Sequence, residues 1–185
     1  LLDLAAGTFP AGKIPADTLA EVRTFIYERY RNQLINDFDR NAVEAVIALT
    51  PPLHQVAERV RAAAAFAQLP EAASLAAANK RIGNLLKKAE GDIGGVNDAA
   101  LVEPAEKALA AAVAALRPQA EAQLAAGDFA GSLSTLAQAR EPVDAFFADV
   151  MVMAEDPAVR ANRLALLSQL HGLMNQVADI SRLAQ

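Results

Sequence analysis

Four cations cluster in the stretch NKRIGNLLKKAE, residues 79–90, which contains one acid and so carries a local charge of +3 (four minus one). On a helix, at about 100° per residue, the cations share one side with an asparagine, and the apolar residues lie on the other. That polar side consists of Lys80, Asn84, Lys87 and Lys88, with Arg81 flanking it. Lysine and arginine bind phosphate, and an amide can read a base edge, so this surface is a candidate polyanion site. The alternative is a solvated face whose lysines complement the negative end of the helix dipole.

A second group of polar residues lies in EDPAVRANRLALLSQL, residues 155–170. Arg163 falls within the apolar stripe of the helix predicted here, one turn before Leu167, so its side chain should point inward. An unpaired buried charge is costly. We therefore expect Arg163 to be a structural latch that pairs with Asp144 or Asp149 on the preceding helix, with an RNA contact as the alternative.

The start of the same helix offers a weaker case for anion binding. Asp156 is the expected cap, Pro157 takes the first helical position, and Glu155 adds a second negative charge. These acids should keep phosphate away from the free amides of the first turn. Arg160 and Asn162 lie farther along the helix, and the sequence does not distinguish an RNA contact from a structural role for either residue.

Aromatic and titratable residues supply few further candidates. Tyr27, with Arg31 one turn later, is the best candidate for stacking on an unpaired base, with a packed tyrosine as the alternative. His54 and His171 lack histidine or acidic partners at metal-ligand spacing. No nucleophile with a base and an orienting group is readable. We therefore expect neither a metal site nor catalysis in this chain.

Composition limits the remaining possibilities. The 185 residues carry a net charge of −5 and include no cysteine, and the pI is near 5.1. Any polyanion site must therefore be local, and disulfides and thiolate metal sites are excluded. The longest apolar run, ALAAAVAAL, is far below the roughly 20 residues of a membrane-spanning helix. The chain begins without methionine and shows no signal peptide, so we expect a piece of a longer protein that is not secreted. The absence of cysteine is consistent with a reducing cytoplasm.

Helical periodicity extends over almost the whole chain, which predicts an all-α bundle of about seven to eight helices. Residues 1–16 should form an irregular lead-in from an upstream domain, and residues 17–185 the helical domain. The predicted helices span residues 17–36, 39–49, 53–69, 71–90, 103–126, 128–139, 142–154 and 157–183.

Three local features of these helices are predicted. Asp17 should cap the first long helix, along which Leu19, Val22, Ile26 and Tyr30 should form one apolar stripe. Pro118 should kink or divide the helix 103–126, because proline removes an amide and crowds a preceding carbonyl. Gly127 should end that helix. The glycine-rich loop GDIGGVN lacks the lysine, the hydroxyl residue and the preceding strand of a nucleotide-binding loop.

Several strings resemble one known family. They are PVDAFFADVMVMAEDPAVRANRLALL (142–167), FIYERYRNQL (25–34), KRIGNLLKKAE (80–90), EPAEKALAAA (103–112) and DISRLAQ (179–185). Together they resemble the C-terminal region of the bacterial glycine–tRNA ligase β subunit. That region belongs to the helical anticodon-binding class shared with arginine–tRNA ligases, and KRIGNLL points to the glycine enzyme. Gly83, where a bulkier residue is usual, and the lead-in depart from the pattern.

The resemblance implies that the chain binds the anticodon arm of glycine tRNA. The chemistry, with ATP, Mg and glycine, would belong to the separate α subunit of an α2β2 enzyme, so no cofactor is expected in this chain. Its partners would be the tRNA, the α subunit and upstream domains of the β subunit. The candidate tRNA-binding residues are Lys80, Arg81, Asn84, Lys87, Lys88, Arg160, Asn162, Tyr27 and Arg31. Two alternatives remain: a helical packing or subunit-docking module, and the equivalent domain of an arginine–tRNA ligase.

Overall fold

The computed structural model describes residues 2–10, 13–15, 17–89 and 93–183. Within these ranges the chain forms nine α-helices and two 3-10 helices and contains no β-strand, so the prediction of an all-α fold is confirmed. The α-helices are α1 Leu2–Ala6, α2 Thr18–Leu34, α3 Arg40–Ile47, α4 Leu53–Phe66, α5 Ala72–Lys88, α6 Pro104–Ala125, α7 Phe129–Ala137, α8 Arg140–Asp149 and α9 Pro157–Met174. The 3-10 helices are Asp98–Ala100 and Ile180–Leu183.

Aspartate caps fix the starts of three of these helices. The carboxylate of Asp39 accepts hydrogen bonds from two amides of α3, at 2.9 and 3.1 Å. Asp128 accepts one from Gly131 at 2.8 Å, and Asp156 accepts from the first turn of α9, as predicted. Asp17 makes no such bond and itself has helical backbone angles, so its predicted role as a cap is wrong.

The core lies where α4 to α9 pack together. α6 packs against α7 and α8, α4 against α3 and α7, and α5 against α8, α9 and the 3-10 helix Ile180–Leu183. The largest fully buried side chains include Leu75, Ile82, Leu109, Leu133, Phe146, Leu166, Leu167, Leu170 and Leu173. The apolar stripes of α5 and α9 therefore meet, and the polar side of α5 is left outside.

The N-terminal part differs most from the sequence-based expectation. Residues 2–6 form the short helix α1, although they were predicted to be irregular. On α2, Tyr27 and Leu34 are buried, whereas Val22 and Phe25 are 37% and 64% exposed. The predicted stripe is thus not covered at Val22. Helical periodicity shows that one face is apolar, but it does not show how far along the helix a neighbour covers that face.

Helix α6 runs through Pro118 without a break. Pro118 and Ala114, whose carbonyl loses the amide partner, are both exposed, so water can satisfy that carbonyl. The prediction that Pro118 divides the helix is therefore wrong. Gly127 ends the helix as predicted, with a positive φ of 79°. The amides of Asp128 and Gly127 bond the carbonyls of Gln123 and Leu124, the pattern of a Schellman cap.

The last α-helix, α9, is shorter than the predicted helix 157–183. α9 ends at Met174, and Asn175 adopts a non-helical conformation. The amide of Asn175 donates to the His171 carbonyl at 2.8 Å. The guanidinium of the buried Arg59 donates to the carbonyls of Gln176 and Val177, at 2.7 and 3.2 Å. These bonds turn the segment back so that Ile180–Leu183 packs against α3 and α5. No described helix is long and apolar enough to cross a membrane.

Candidate nucleic-acid interface

The polar side of α5 faces solvent. Lys80, Asn84, Lys87 and Lys88 are all exposed, while Ile82 on the opposite side is fully buried. The guanidinium of Arg81 stacks over the ring of Phe147, 4.3 Å from its centroid. The sequence-based placement of the cations on one surface is therefore correct, and a contact with α8 holds Arg81 at its flank.

A groove of about 840 Å³ runs beside this surface, between α5, the end of α9 and the segment 179–182. Its lining residues are Leu49, Asn79, Lys80, Gly83, Asn84, Leu86, Lys87, His171, Asn175, Asp179, Ser181 and Arg182. Asn79 and Asn175 join its two walls by a reciprocal pair of amide hydrogen bonds, at 2.8 and 3.0 Å. These two hydrogen bonds thus link α5 to the residue that follows α9.

The charges that line the groove are mainly positive. Lys80, Lys87 and Arg182 stand against Asp179 alone, for a balance of +2 (three minus one). Arg182 pairs with Asp179 at 3.0 Å. Within the described ranges, Lys80 and Lys87 form no ion pair. The two ammonium groups are therefore available to an anion from solution.

His171 lies in the same groove and is half-buried. Burial lowers the pKa of His171 below its usual 6.5, and the nearby charge of Lys87 lowers this pKa further, although Asp179 opposes the shift. The imidazole is therefore neutral at pH 7. A Cβ atom on Gly83 would lie 3.4 Å from Nε2 of His171, so the backbone of α5 approaches this ring to within the contact distance of one methyl group.

Four of the predicted tRNA-binding residues are instead engaged within the fold. Tyr27 is buried and its hydroxyl donates to the Pro51 carbonyl, and Arg31 pairs with Glu44. Asn162 is buried, accepts from the Asn97 amide at 2.7 Å and donates to the Asn97 carbonyl at 3.0 Å. Arg160 donates to the Ala154 carbonyl at 2.8 Å. The predicted RNA contacts of Tyr27 and Asn162 are therefore wrong, because their polar groups satisfy buried or loop peptide groups.

Arg163 points inward as predicted, but its partner is Glu106 on α6. The two side chains are 9% and 1% exposed. The other carboxylate oxygen of Glu106 accepts from the amides of Val102 and Glu103, at 2.7 and 2.8 Å, and Arg163 also donates to the Met151 carbonyl at 2.8 Å. One buried pair thus connects α6, α9 and the loop after α8.

The predicted partners of Arg163, Asp144 and Asp149, are therefore wrong. Asp144 is exposed, accepts a hydrogen bond from the Ser74 hydroxyl and forms an ion pair with Arg140 at 3.4 Å. Asp149 is exposed at the end of α8. α8 ends at Asp149 because the following residues extend and present the Met151 carbonyl to Arg163. Glu106 was missed because an acid in the first turn of a helix is ordinarily interpreted as a local cap.

Burial raises the pKa of Glu106, but the Arg163 hydrogen bond and the two amides outweigh it and hold this pKa below the usual 4.5. Glu106 is therefore ionised at neutral pH.

Sequence reasoning also missed His171, Asn175 and Arg182 as parts of a binding surface. Their only signal was the acid and arginine three residues apart in the C-terminal segment, which predicts a local ion pair. The bend after α9 that brings them to α5 has no comparable signature.

The DALR anticodon binding domain matches residues 75–180, which is more than half of the chain. The chain belongs to this family. The matched segment extends from α5 to the 3-10 helix that follows α9, and it contains the exposed lysines and both helical walls of the groove.

The chain is also similar to glycine–tRNA ligase β subunits. It is 53% identical over 190 residues to that of Leptothrix cholodnii, a match covering 99% of this chain and 27% of the relative. It is 54% identical over 169 residues to that of Methylobacillus flagellatus, covering 90% and 24%. It is 47% identical over 186 residues to that of Neisseria gonorrhoeae, covering 100% and 27%. The chain thus spans about a quarter of the length of these relatives, and the predicted resemblance is confirmed.

Proposed function

We propose that this DALR domain binds the anticodon arm of glycine tRNA as part of a glycine–tRNA ligase β subunit. The single observation that supports this most is the row of exposed lysines on α5, which forms no ion pair with the described residues and lies within the family segment. The chain has a net charge of −5, so it repels a polyanion over most of its surface. A row of lysines provides a local positive surface to which a polyanion can bind.

The names of the relatives support a glycine–tRNA ligase, and within such an enzyme we propose the following division of labour. The whole enzyme would join glycine to its tRNA with ATP and Mg in the cytoplasm, and the α subunit would carry the chemistry. This domain would supply tRNA affinity, and its lysines would position phosphates. The relatives carry the name of the glycine enzyme, which favours it over the arginine alternative.

Base recognition would come from the groove beside the lysines. Glycine anticodons end in two cytosines, whose amino groups are hydrogen-bond donors and call for oxygen acceptors. The exposed amide of Asn84 offers such an oxygen, and so does the carboxylate of Asp179.

The test is electrophoretic titration of this chain with glycine tRNA. We expect Lys87→Ala/Lys88→Ala to weaken binding without lowering the melting temperature, since both residues are exposed. A matched control is Arg23→Ala/Lys107→Ala, which removes the same charge from exposed positions on α2 and α6. Substitution of the anticodon cytosines should weaken binding to the wild-type chain. Equal affinity of both double variants and the wild type would contradict the proposal.

A second candidate function, docking to another part of the enzyme, is favoured by the apolar surface around α1 and α2. Leu4, Phe9 and Phe25 are 76%, 57% and 64% exposed, which is unusual for a surface that faces water alone. We propose that this surface contacts the α subunit or another part of the β subunit. Phe25→Glu should then weaken co-purification of this chain with the α subunit or with the remainder of the β subunit, while Lys87→Ala/Lys88→Ala should not. Unchanged co-purification of Phe25→Glu with both would argue against docking.

A further inference from the structure

Three large apolar side chains are exposed beside the buried Arg163–Glu106 pair. Val102, Met151 and Met153 are 61%, 72% and 49% exposed, and they belong to the loops before α6 and after α8. We call these three residues the methionine surface. Grouped apolar side chains on a surface often mark a contact with another protein surface. Methionine is common in such contacts because its flexible thioether adapts to the partner.

The buried ion pair fixes both loops of the methionine surface. Arg163 donates to the Met151 carbonyl at 2.8 Å, and its partner Glu106 accepts from the amide of Val102 at 2.7 Å. Because the two loops bond to the same ion pair, Val102 and Met151 lie close together. The exposure of their side chains therefore belongs to a fixed part of the fold.

The segment after α8 directs its two methionines outward. Val150 and Val152 are buried, whereas Met151 and Met153 are exposed. Such alternation is typical of extended backbone, and Val150 has extended backbone angles. Both methionines thus face solvent on the same side of the chain.

The charges nearest to the methionine surface are acidic. Within three residues of its members along the chain there are four acids and no lysine or arginine. These acids are all exposed, and they are Glu103, Asp149, Glu155 and Asp156. Arg160, which donates to the Ala154 carbonyl, and Lys107 on α6 reduce the local charge to −2 (two minus four). The surface therefore repels RNA and anionic lipid and favours a protein surface that carries lysine or arginine.

The methionine surface is too small for a stable complex between separate chains. Three apolar side chains fall far short of the roughly 20–30 residues that each partner contributes to a standard interface. Two parts of one polypeptide need a smaller contact, since a linker gives them an effective concentration in the millimolar range. The chain spans about a quarter of its β-subunit relatives, so most of such a polypeptide lies outside it.

The methionine surface and the groove beside α5 lie at opposite ends of α9. Asp156 caps the start of this helix, and His171, which lines the groove, lies 15 residues later. At 1.5 Å per residue the two are about 22 Å apart. A protein segment at one end therefore leaves the lysines at the other end accessible to RNA.

We propose that the methionine surface is the docking site for another part of the β subunit, which presents lysine or arginine around an apolar group. This assignment rests on the proposed function in one respect, namely that the chain is part of a β subunit. The buried ion pair then has a role beyond stability, because it holds the two docking loops in register.

Oxidation by hydrogen peroxide tests the proposal, since the chain contains only three methionines, Met151, Met153 and Met174. Peroxide converts an accessible thioether to the sulfoxide and is itself reduced to water. In this chain alone, Met151 and Met153 should be oxidised, whereas Met174, which is 1% exposed, should be spared and so report that the chain is folded. In the complete β subunit, Met151 and Met153 should be oxidised about tenfold more slowly, as for a contact whose open state is populated at about 10%. Mass spectrometry of peptides measures each rate.

A charge reversal tests the acidic rim. Glu155→Lys places a cation beside Met153 and should restore fast oxidation in the complete β subunit. The matched control is Glu58→Lys, at an exposed position on α4, which should leave the protection unchanged. Neither variant should change the oxidation rates in this chain alone.

Equal oxidation rates in this chain and in the complete β subunit would overturn the docking site. Protection that requires the α subunit, glycine tRNA or a high concentration of the β subunit would also overturn it, because the occupant would then be different. So would protection that Glu155→Lys leaves intact. If the β subunit protects both methionines but does not bind glycine tRNA, the proposed function fails and the docking site stands. If it binds the tRNA but protects neither methionine, the docking site fails and the proposed function stands.

Discussion

The buried pair Arg163–Glu106 allows the sharpest prediction about stability. In the variant Arg163→Met, the side chain keeps much of its length but loses its charge. Glu106 then remains 1% exposed with no cation beside it, and the Met151 carbonyl loses its donor. The two amide bonds from Val102 and Glu103 remain, so the carboxylate is only partly compensated.

The expected loss follows from this geometry. Removing one partner of a buried ion pair typically costs about 3–5 kcal/mol of unfolding free energy, because the other charge is left in an environment that solvates it poorly. For a chain of this size, each kcal/mol corresponds to roughly 2–4 °C in melting temperature. The melting temperature of Arg163→Met should therefore fall by about 6–20 °C at pH 7.

Urea unfolding followed by circular dichroism measures this loss. A matched control is Glu106→Gln/Arg163→Met, which keeps an oxygen acceptor for the two amides but leaves no unpaired charge. The double variant should lose less than the sum of the two single variants, by about 0.5–3 kcal/mol. An Arg163→Met protein within about 1 kcal/mol of the wild type would refute the buried latch. If that variant also lost its affinity for tRNA, Arg163 would instead be an RNA contact.

Three further predictions concern the loss of stability in acid, the substitution Gly83→Ala and the pH dependence of RNA binding. The pKa values of Glu44, through its bond to Arg31, and of Glu106 are both lowered; their contribution to stability is therefore present above pH 4.5 and lost as pH falls through the lowered values. The free energy of unfolding, measured as a function of pH, should therefore decrease as pH falls below 4.5. The variant Glu106→Gln should show a smaller decrease than the wild type. Gly83→Ala should raise the unfolding free energy by about 0.5–1 kcal/mol in urea denaturation; a destabilised variant would show that its Cβ clashes with His171. RNA affinity in fluorescence titrations should increase as pH falls below 6.5, and His171→Gln should abolish that increase; a persistent increase would exclude His171 as its source.

Most of the fold could be predicted from sequence because its determinants are local. The stripes of α5 and α9 repeat every three to four residues, and the starts of α3, α7 and α9 each have an aspartate that caps the free amides. Gly127 ended α6 for an equally local reason, the positive φ of a Schellman cap. The prediction for Pro118 was wrong because the cost of a proline depends on whether the carbonyl four residues earlier, which loses its amide partner, is exposed to water. That exposure is set by the tertiary structure.

The candidate site could be predicted only in part. The lysines on α5 follow from helical geometry alone, so their surface was placed correctly. Arg163 was likewise directed inward, but its partner lies 57 residues away, and no local pattern relates the two. The groove depends on a turn after α9 that Arg59 and Asn175 hold in place. These tertiary contacts leave almost no periodic trace in the sequence.

The central claim is that the lysines of α5 meet the phosphates of a tRNA. The most direct measurement is the affinity for glycine tRNA as a function of salt concentration, for the wild type, Lys87→Ala/Lys88→Ala and the control Arg23→Ala/Lys107→Ala. Each phosphate contact to a single strand contributes about 0.7 to the slope of log affinity against log salt, so loss of both lysines should flatten the slope by about 1.4. The control should keep the wild-type slope. Equal slopes for all three proteins would contradict the account.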